Sequence, residues 1–177
     1  FMPVWAYTLA AHIPDDGGYV LSLCDTRFDS LISFVDVDVA IFSGINQDYG
    51  SLVHEHETLR QRLPNVVTII GGPICWSYDQ AGDLEKLSMF DQIFIGDGED
   101  AIAEFLESIR DGNQLEPVVR NRKRFDMNKA RGFEHALLEK TIGRYYGAVL
   151  EVSRGCPFLC EFCDIRVLPD NNRPHNK

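Results

Sequence analysis

The chain has 177 residues, 45% of them hydrophobic, and a formal net charge of −10. That length allows one large domain, or one domain with part of another, and the apolar share is enough for an ordinary core. The longest apolar runs, such as Val66–Ile70, are far too short to cross a bilayer, and an acidic chain repels a phosphate backbone, which argues against general nucleic-acid binding.

In chain order, Pro3–His12 reads as a helix and Tyr19–Cys24 as the first strand. Three further short runs rich in Val, Ile or Phe follow, at Val39–Ser43, Val66–Gly71 and Gln92–Gly96. All four runs read as strands buried on both faces and not as alternating ones. Between them, Ser51–Leu63 and Asp79–Phe90 have helical spacing, and Asp100–Arg110 carries an apolar stripe of Ala101, Ile102, Phe105, Leu106 and Ile109. Strands and helices alternating in this way predict an α/β domain over residues 1–110, a doubly wound parallel sheet with helices on both faces. Such a sheet wants a strand before the first helix, and the chain begins at Phe1, so that N-terminal strand is expected to be missing. Residues 111–146 read as a linker with one helix near Glu134–Thr141, and the basic run Arg120, Arg122, Lys123 and Arg124 as its solvated face. A last strand, Ala148–Ser153, leads into Arg154-Gly155-Cys156 and opens a final segment, 147–177.

The charge is unevenly spread. Residues 1–110 hold 5 Lys or Arg against 18 Asp or Glu, whereas residues 111–177 hold 12 against 9. Three of the five cysteines fall in Gly155-Cys156-Pro157-Phe158-Leu159-Cys160-Glu161-Phe162-Cys163, with spacing C-x3-C-x2-C. An odd, clustered set suits metal binding in a reducing compartment better than a disulfide framework. No signal-peptide pattern opens the chain, and a cytoplasmic location is expected. Three thiolates this close can hold three corners of a cubane and leave the fourth iron open. Two other readings stand beside that one. Zinc could take Cys156, Cys160, Cys163 and His175, or the cysteines could be packing residues with no metal.

The strand, the Ser-Arg-Gly, the C-x3-C-x2-C loop and the aromatic residue before its last cysteine together resemble the radical SAM superfamily. The resemblance implies that Cys156, Cys160 and Cys163 bind a [4Fe–4S] cluster and that S-adenosylmethionine ligates the open iron. Reductive cleavage would then give a 5′-deoxyadenosyl radical. Phe162 falls at the position that lies near the adenine. In that superfamily the loop follows the first strand of a partial (β/α)6 barrel, so the chain by itself is expected to be inactive.

The first domain resembles the flavodoxin-like, cobalamin-binding domain found ahead of some radical SAM barrels. Ser43-Gly44-Ile45 matches its S-x-L element and Gly71-Gly72-Pro73 its G-G element. Both fall at strand ends, where open α/β sheets bind ligands. The element that supplies a lower axial histidine, D-x-H-x-x-G, does not occur. Taken together, the resemblance implies a cobalamin-dependent radical SAM enzyme that methylates an unactivated carbon of a small-molecule or peptide substrate, with flavodoxin or ferredoxin as electron donor. A methylthiotransferase, a cyclase or a non-enzymatic corrinoid carrier with a zinc-binding loop are the alternatives. A methylthiotransferase would need three more cysteines, and only Cys24 and Cys75 remain, which read as buried strand-end residues. Gly96-Asp97-Gly98-Glu99-Asp100-Ala101 fits a dinucleotide fingerprint, but its acids would repel a pyrophosphate, and Asp97 reads instead as a helix cap. His54, His56 and Glu57 read as a solvated helix face.

Overall fold

In a computed structural model of the chain, the described residues are 2–15, 17–147, 149–156, 158 and 160–163, together with the backbone of His175–Asn176. Four parallel strands form one sheet in the order β1 (Val39–Ser43), β2 (Val67–Gly71), β3 (Gln92–Ile95) and β4 (Val118–Arg120). The helices are α1 (Val4–Ala11), α2 (Tyr49–Arg62), α3 (Pro73–Ala81), α4 (Ile102–Arg110) and α5 (His135–Thr141). Ser153–Arg154 (β5) pairs antiparallel with His175–Asn176 (β6) in a separate two-stranded ribbon.

The strand runs predicted at Val39, Val66 and Gln92 form as expected, in the register Phe42↔Ile70 and Ile70↔Ile93. Right-handed crossovers between successive neighbours bring the intervening helices to one side of a sheet. Accordingly Leu52 of α2 and Ile74 and Cys75 of α3 share a core with Ile70, Ile93, Ile95, Leu87 and Phe90. A second core gathers Met2, Tyr7 and Ala10 around α1 with Leu137 of α5. The Tyr7 hydroxyl, 2.5 Å from Thr141 Oγ1, ties those two helices together.

Several expectations are corrected. Tyr19–Cys24 is extended but pairs with no strand among the described residues. Leu21 and Leu23 pack against the α1–α5 core, while Val20 is 95% exposed. Alternation here serves docking on helices instead of sheet pairing. Without that strand the described order runs 1-2-3-4 with no reversal, and a reversal is what defines a doubly wound sheet.

The helix predicted at Asp79–Phe90 lies earlier in the chain. Pro73 at its first position and Gly82 in a left-handed C-terminal cap bound α3, and a short 3-10 turn at Leu84–Leu87 follows. The segment read as linker supplies β4, and Arg120 of its basic run bonds Asp79 at 2.6 Å. Regular pairing near residue 150 is confined to Ser153–Arg154. Ala148 is outside the described residues, and Leu150 and Val152 are exposed, unlike a barrel strand covered on both faces.

The amino end of the sheet is closed by a polar network. Arg60 of α2 donates to Val66 O at 2.7 Å and to Asp91 Oδ2 at 2.5 Å, and Asp91 also accepts from Thr68 N at 2.7 Å. His56, 5% exposed, lies 3.3 Å from Thr68 Oγ1 by its Nε2 and has its ring 4.6 Å from that of Phe90. Burial, helped by Arg60, pulls its pKa below the usual 6.5. A histidine whose pKa is lowered on folding contributes stability that is fully present above about 6.5 and is lost as pH falls toward the folded-state value. Urea unfolding at pH 7.5 and 5.5 should therefore show lower stability at the acid pH, and His56→Phe should flatten part of that difference. An unchanged pH slope in the variant would contradict this account.

Candidate functional site

Parallel strands present all their carboxyl ends on one edge, and here three of them run straight into glycine. Ser43, the last residue of β1, pairs with Gly71, the last of β2. Gly72 follows with φ +85° and ψ −173°, a region essentially restricted to glycine. A Cβ on it would lie 2.3 Å from Ser43 Oγ, so the two strand ends are in direct contact. The amide of Ile74 donates to Gly44 O at 3.1 Å, which stitches the first turn of α3 to the loop after β1. The Ile45 amide donates to Asp48 Oδ2 at 2.9 Å. Ser43, Gly44, Ile45, Gly71, Gly72 and Pro73 thus lie together at the ends of β1 and β2. Ile45 and Pro73 are exposed and the other four half-buried.

The third strand end is built by residues that come later in the chain. Gly96 has φ +130°, and a Cβ there would lie 2.1 Å from the carbonyl oxygen of Asn121. Asn121 donates from its amide to Ile95 O and from its side chain to Asp97 O, both at 2.8 Å. Asp97 does not cap α4. Its carboxylate accepts from the Phe125 amide at 2.8 Å, and α4 starts at Ile102 without a side-chain cap. Leu9 of α1 packs against Gly98.

Arg154 converges on this turn. Its guanidinium donates to Glu99 and lies 3.4 Å from Asp97 Oδ1. It grips Glu151 by two bonds of 2.8 Å, and its Cζ stands 5.8 Å from the centre of the Phe125 ring. Burial opposes its charge, but the bonds from Glu151 and Glu99 outweigh burial and raise its pKa. Glu99 is 8% exposed, a buried acid matched by a cation.

Gly155 at φ +85° and Cys156 come next. Cys156 and Cys163 are half-buried, Cys160 is exposed, and the five cysteines form no disulfide. The Cys163 amide donates to Cys160 O at 3.1 Å, closing a turn between them. Phe162 in that turn is 91% exposed. As a donor set, three accessible thiols in a short loop fit an iron–sulfur cluster. No group of three or more His, Cys, Asp or Glu side chains among the described residues is already gathered around a metal position. Pro157 and the side chain of His175, the fourth ligand considered for zinc, lie outside the described residues.

The remaining candidates separate clearly. Burial pushes the Cys75 thiol up to about 12, and burial together with Asp29 and Glu55 pushes Cys24 to about 11, so both stay protonated. Neither ends a strand, since Cys75 is in α3 and Cys24 in the extended segment. His54 and Glu57 are exposed as expected, but His56 is core. Its place was readable, because it shares a stripe with Leu52 and Leu59. A surface hollow of about 530 Å³ lined by His56, Glu57, Arg60, Gln61 and Met89 lies at the opposite, amino end of the sheet.

Fold and site together define an α/β unit with a glycine-rich carboxyl edge against which a thiol loop is anchored. No protein-family model matches the chain. It is similar to an uncharacterized methyltransferase of Synechocystis sp., 26% identical over 167 residues, which cover 94% of this chain and 30% of the relative. It is also similar to the anaerobic magnesium-protoporphyrin IX monomethyl ester cyclase of the same organism, 32% identical over 127 residues, 61% of this chain and 25% of that one. The chain thus spans less than a third of the length of either relative, and both are named as enzymes. A crystal structure of the N-terminal domain of a hypothetical protein from Thermotoga maritima overlays with a TM-score of 0.46 at 23% identity, covering 66% of this chain and 91% of that one. No helix among the described residues is long and apolar enough to cross a membrane.

The contact between Gly72 and Ser43 gives a separable prediction. Gly72→Ala should destabilise the chain by roughly 2–3 kcal/mol through both clash and backbone strain. Adding Ser43→Ala should recover only the part due to the clash. Urea denaturation of the single and double variants measures this, and a Gly72→Ala chain as stable as the wild type would contradict it.

Proposed function

We propose that this chain is the cofactor-holding part of a cobalamin-dependent radical SAM enzyme whose overall reaction methylates an unactivated carbon. One observation carries the reading. Three accessible thiols within eight residues are led into by a left-handed glycine and tethered through Arg154 to the carboxyl edge of a parallel sheet. Cys156, Cys160 and Cys163 are the residues that would hold a [4Fe–4S] cluster. Such a cluster, when bound, supplies one-electron reduction and an iron with no protein ligand.

The chain's own residues then have defined tasks. The three thiols give up their protons on ligation, so metal uptake strengthens as pH rises. The exposed Phe162 ring offers a flat apolar face beside the loop, suited to the adenine of S-adenosylmethionine. Ser43 contributes a hydroxyl, and Gly71 and Gly72 leave room for a nucleotide tail at the strand ends, which is the part of the site proposed for cobalamin. The carboxyl edge and the loop would keep both cofactors oriented and dry, the protein's usual share in such chemistry. The substrate proposed is a small molecule or peptide, the electron donor a flavodoxin or ferredoxin, and the compartment the cytoplasm. Methylation is favoured over ring closure because similarity to the methyltransferase extends across 94% of the chain, whereas similarity to the cyclase reaches 61%.

Anaerobic reconstitution of the chain with iron and sulfide tests the cluster. About four irons and four sulfides per chain, with a broad band near roughly 400 nm, are expected. Cys156→Ala, Cys160→Ala and Cys163→Ala should each lose most of that iron. Stoichiometric zinc that resists exchange would overturn the reading. For cobalamin, Gly71→Ala is the informative variant, because a Cβ there meets only Phe94 O, at an ordinary 3.7 Å. Stability should hold within about 0.5 kcal/mol while hydroxocobalamin binding weakens roughly tenfold, the scale of one misplaced methyl group in a pocket. Undiminished binding would remove Gly71 from the site.

A further inference from the structure

Arg154, two residues before Cys156, bonds to residues far upstream in the chain. Its guanidinium reaches Glu99 and Asp97, 55 and 57 positions earlier in the turn after β3, and also Glu151 on its own segment. That turn is itself pinned. Asn121 and Phe125 bind Asp97 from the chain after β4, and Leu9 packs on Gly98 from α1. His12 sets its ring edge-on to Phe125, 5.0 Å between centres. The turn is thus held from several sides, and one backbone step beyond Arg154 the chain turns at Gly155 into Cys156.

We infer that Arg154 is a positioning residue for the thiol loop, clamped by Glu99 and Asp97 so that the loop is seated at the carboxyl edge of the sheet. The charges make the clamp directional. Three carboxylates surround one guanidinium, so removing the guanidinium takes away the cation that all three share. Removing Glu99 alone leaves Arg154 still held by Glu151 and Asp97. Loss of Arg154 must therefore loosen the loop more than loss of Glu99. A planar fork making several bonds at once is not reproduced by an ammonium, so lysine should rescue only in part. The inference gives the proposed cluster site its positioning residue, but it concerns the metal-free chain and can be read without any cofactor.

The test is peptide-resolved alkylation of the metal-free chain by iodoacetamide, followed by mass spectrometry across a pH series. The rate at Cys156 is taken from the high-pH plateau, where that thiol is fully ionised and the thiolate fraction no longer varies. Cys75, fully buried in the core, reports in the same sample that the chain is folded, because it stays unreacted while the fold holds. The clamp predicts that Arg154→Gln speeds Cys156 alkylation about tenfold or more. Glu99→Gln should do so severalfold, with Arg154→Lys between wild type and Arg154→Gln. Cys160, already exposed, should change least. Equal Cys156 rates in wild type, Glu99→Gln and Arg154→Gln, with Cys75 still protected, would overturn the clamp. So would full rescue by lysine. Should a variant unfold, Cys75 reacts, and the milder Glu99→Asp, which keeps the charge and shortens the reach, decides the question at the same residue. Iron uptake by the wild-type chain is scored separately, so a failed cluster and a failed clamp give different results.

Discussion

The arrangement depends on one buried ionic contact, that of Arg154 with Glu99, Asp97 and Glu151. A guanidinium in a partly buried site is unfavourable unless carboxylates meet it, and buried carboxylates are equally unfavourable without a cation. Each side makes the other tenable, which fixes where the segment after α5 can lie. The ion pair ties the residue two before Cys156 to the turn after β3, at the carboxyl end of the sheet. On the proposed reading, that is how the three thiols would be held beside strand ends where an open α/β sheet receives ligands.

The strand ends have their own constraint, which is closeness. Gly72 touches Ser43, and Gly96 lies under the carbonyl of Asn121, so a side chain at either glycine would collide with a neighbour. These contacts keep the edge low and uncluttered, while the bulk of the core is concentrated farther back, around Ile70, Ile93 and Ile95. The division is physical. Apolar packing supplies rigidity behind the edge, and glycine removes volume at the edge. At the amino end Arg60, Asp91 and Thr68 bind one another across the strand starts.

Much of this was legible in the residues, for reasons that can be named. Val39–Ser43, Val67–Gly71 and Gln92–Ile95 were readable because buried parallel strands are continuous apolar runs, a local signal. The glycines at their ends were readable as places where a side chain is excluded. Val118–Arg120 was not, since three residues between a proline and a basic run carry almost no pattern, and only pairing with β3 makes them a strand. Tyr19–Cys24 misled because a short apolar run says that residues are buried without saying against what, and here only alternate residues dock on helices. Asp97 read as a cap because its true partner, the Phe125 amide, is 28 residues away. The importance of Arg154 was hidden in the same way, since a lone arginine beside a cysteine says nothing about acids far upstream.

The central claim is that Cys156, Cys160 and Cys163 hold an iron–sulfur cube with one iron free of protein ligands. X-ray absorption at the iron and zinc edges of the anaerobically reconstituted chain addresses it most directly. The account predicts iron in a mainly sulfur environment with a clear iron–iron scattering path, and only background zinc. A single zinc ion with four sulfur or nitrogen neighbours at about 2.0–2.3 Å, and no iron–iron path, would contradict it.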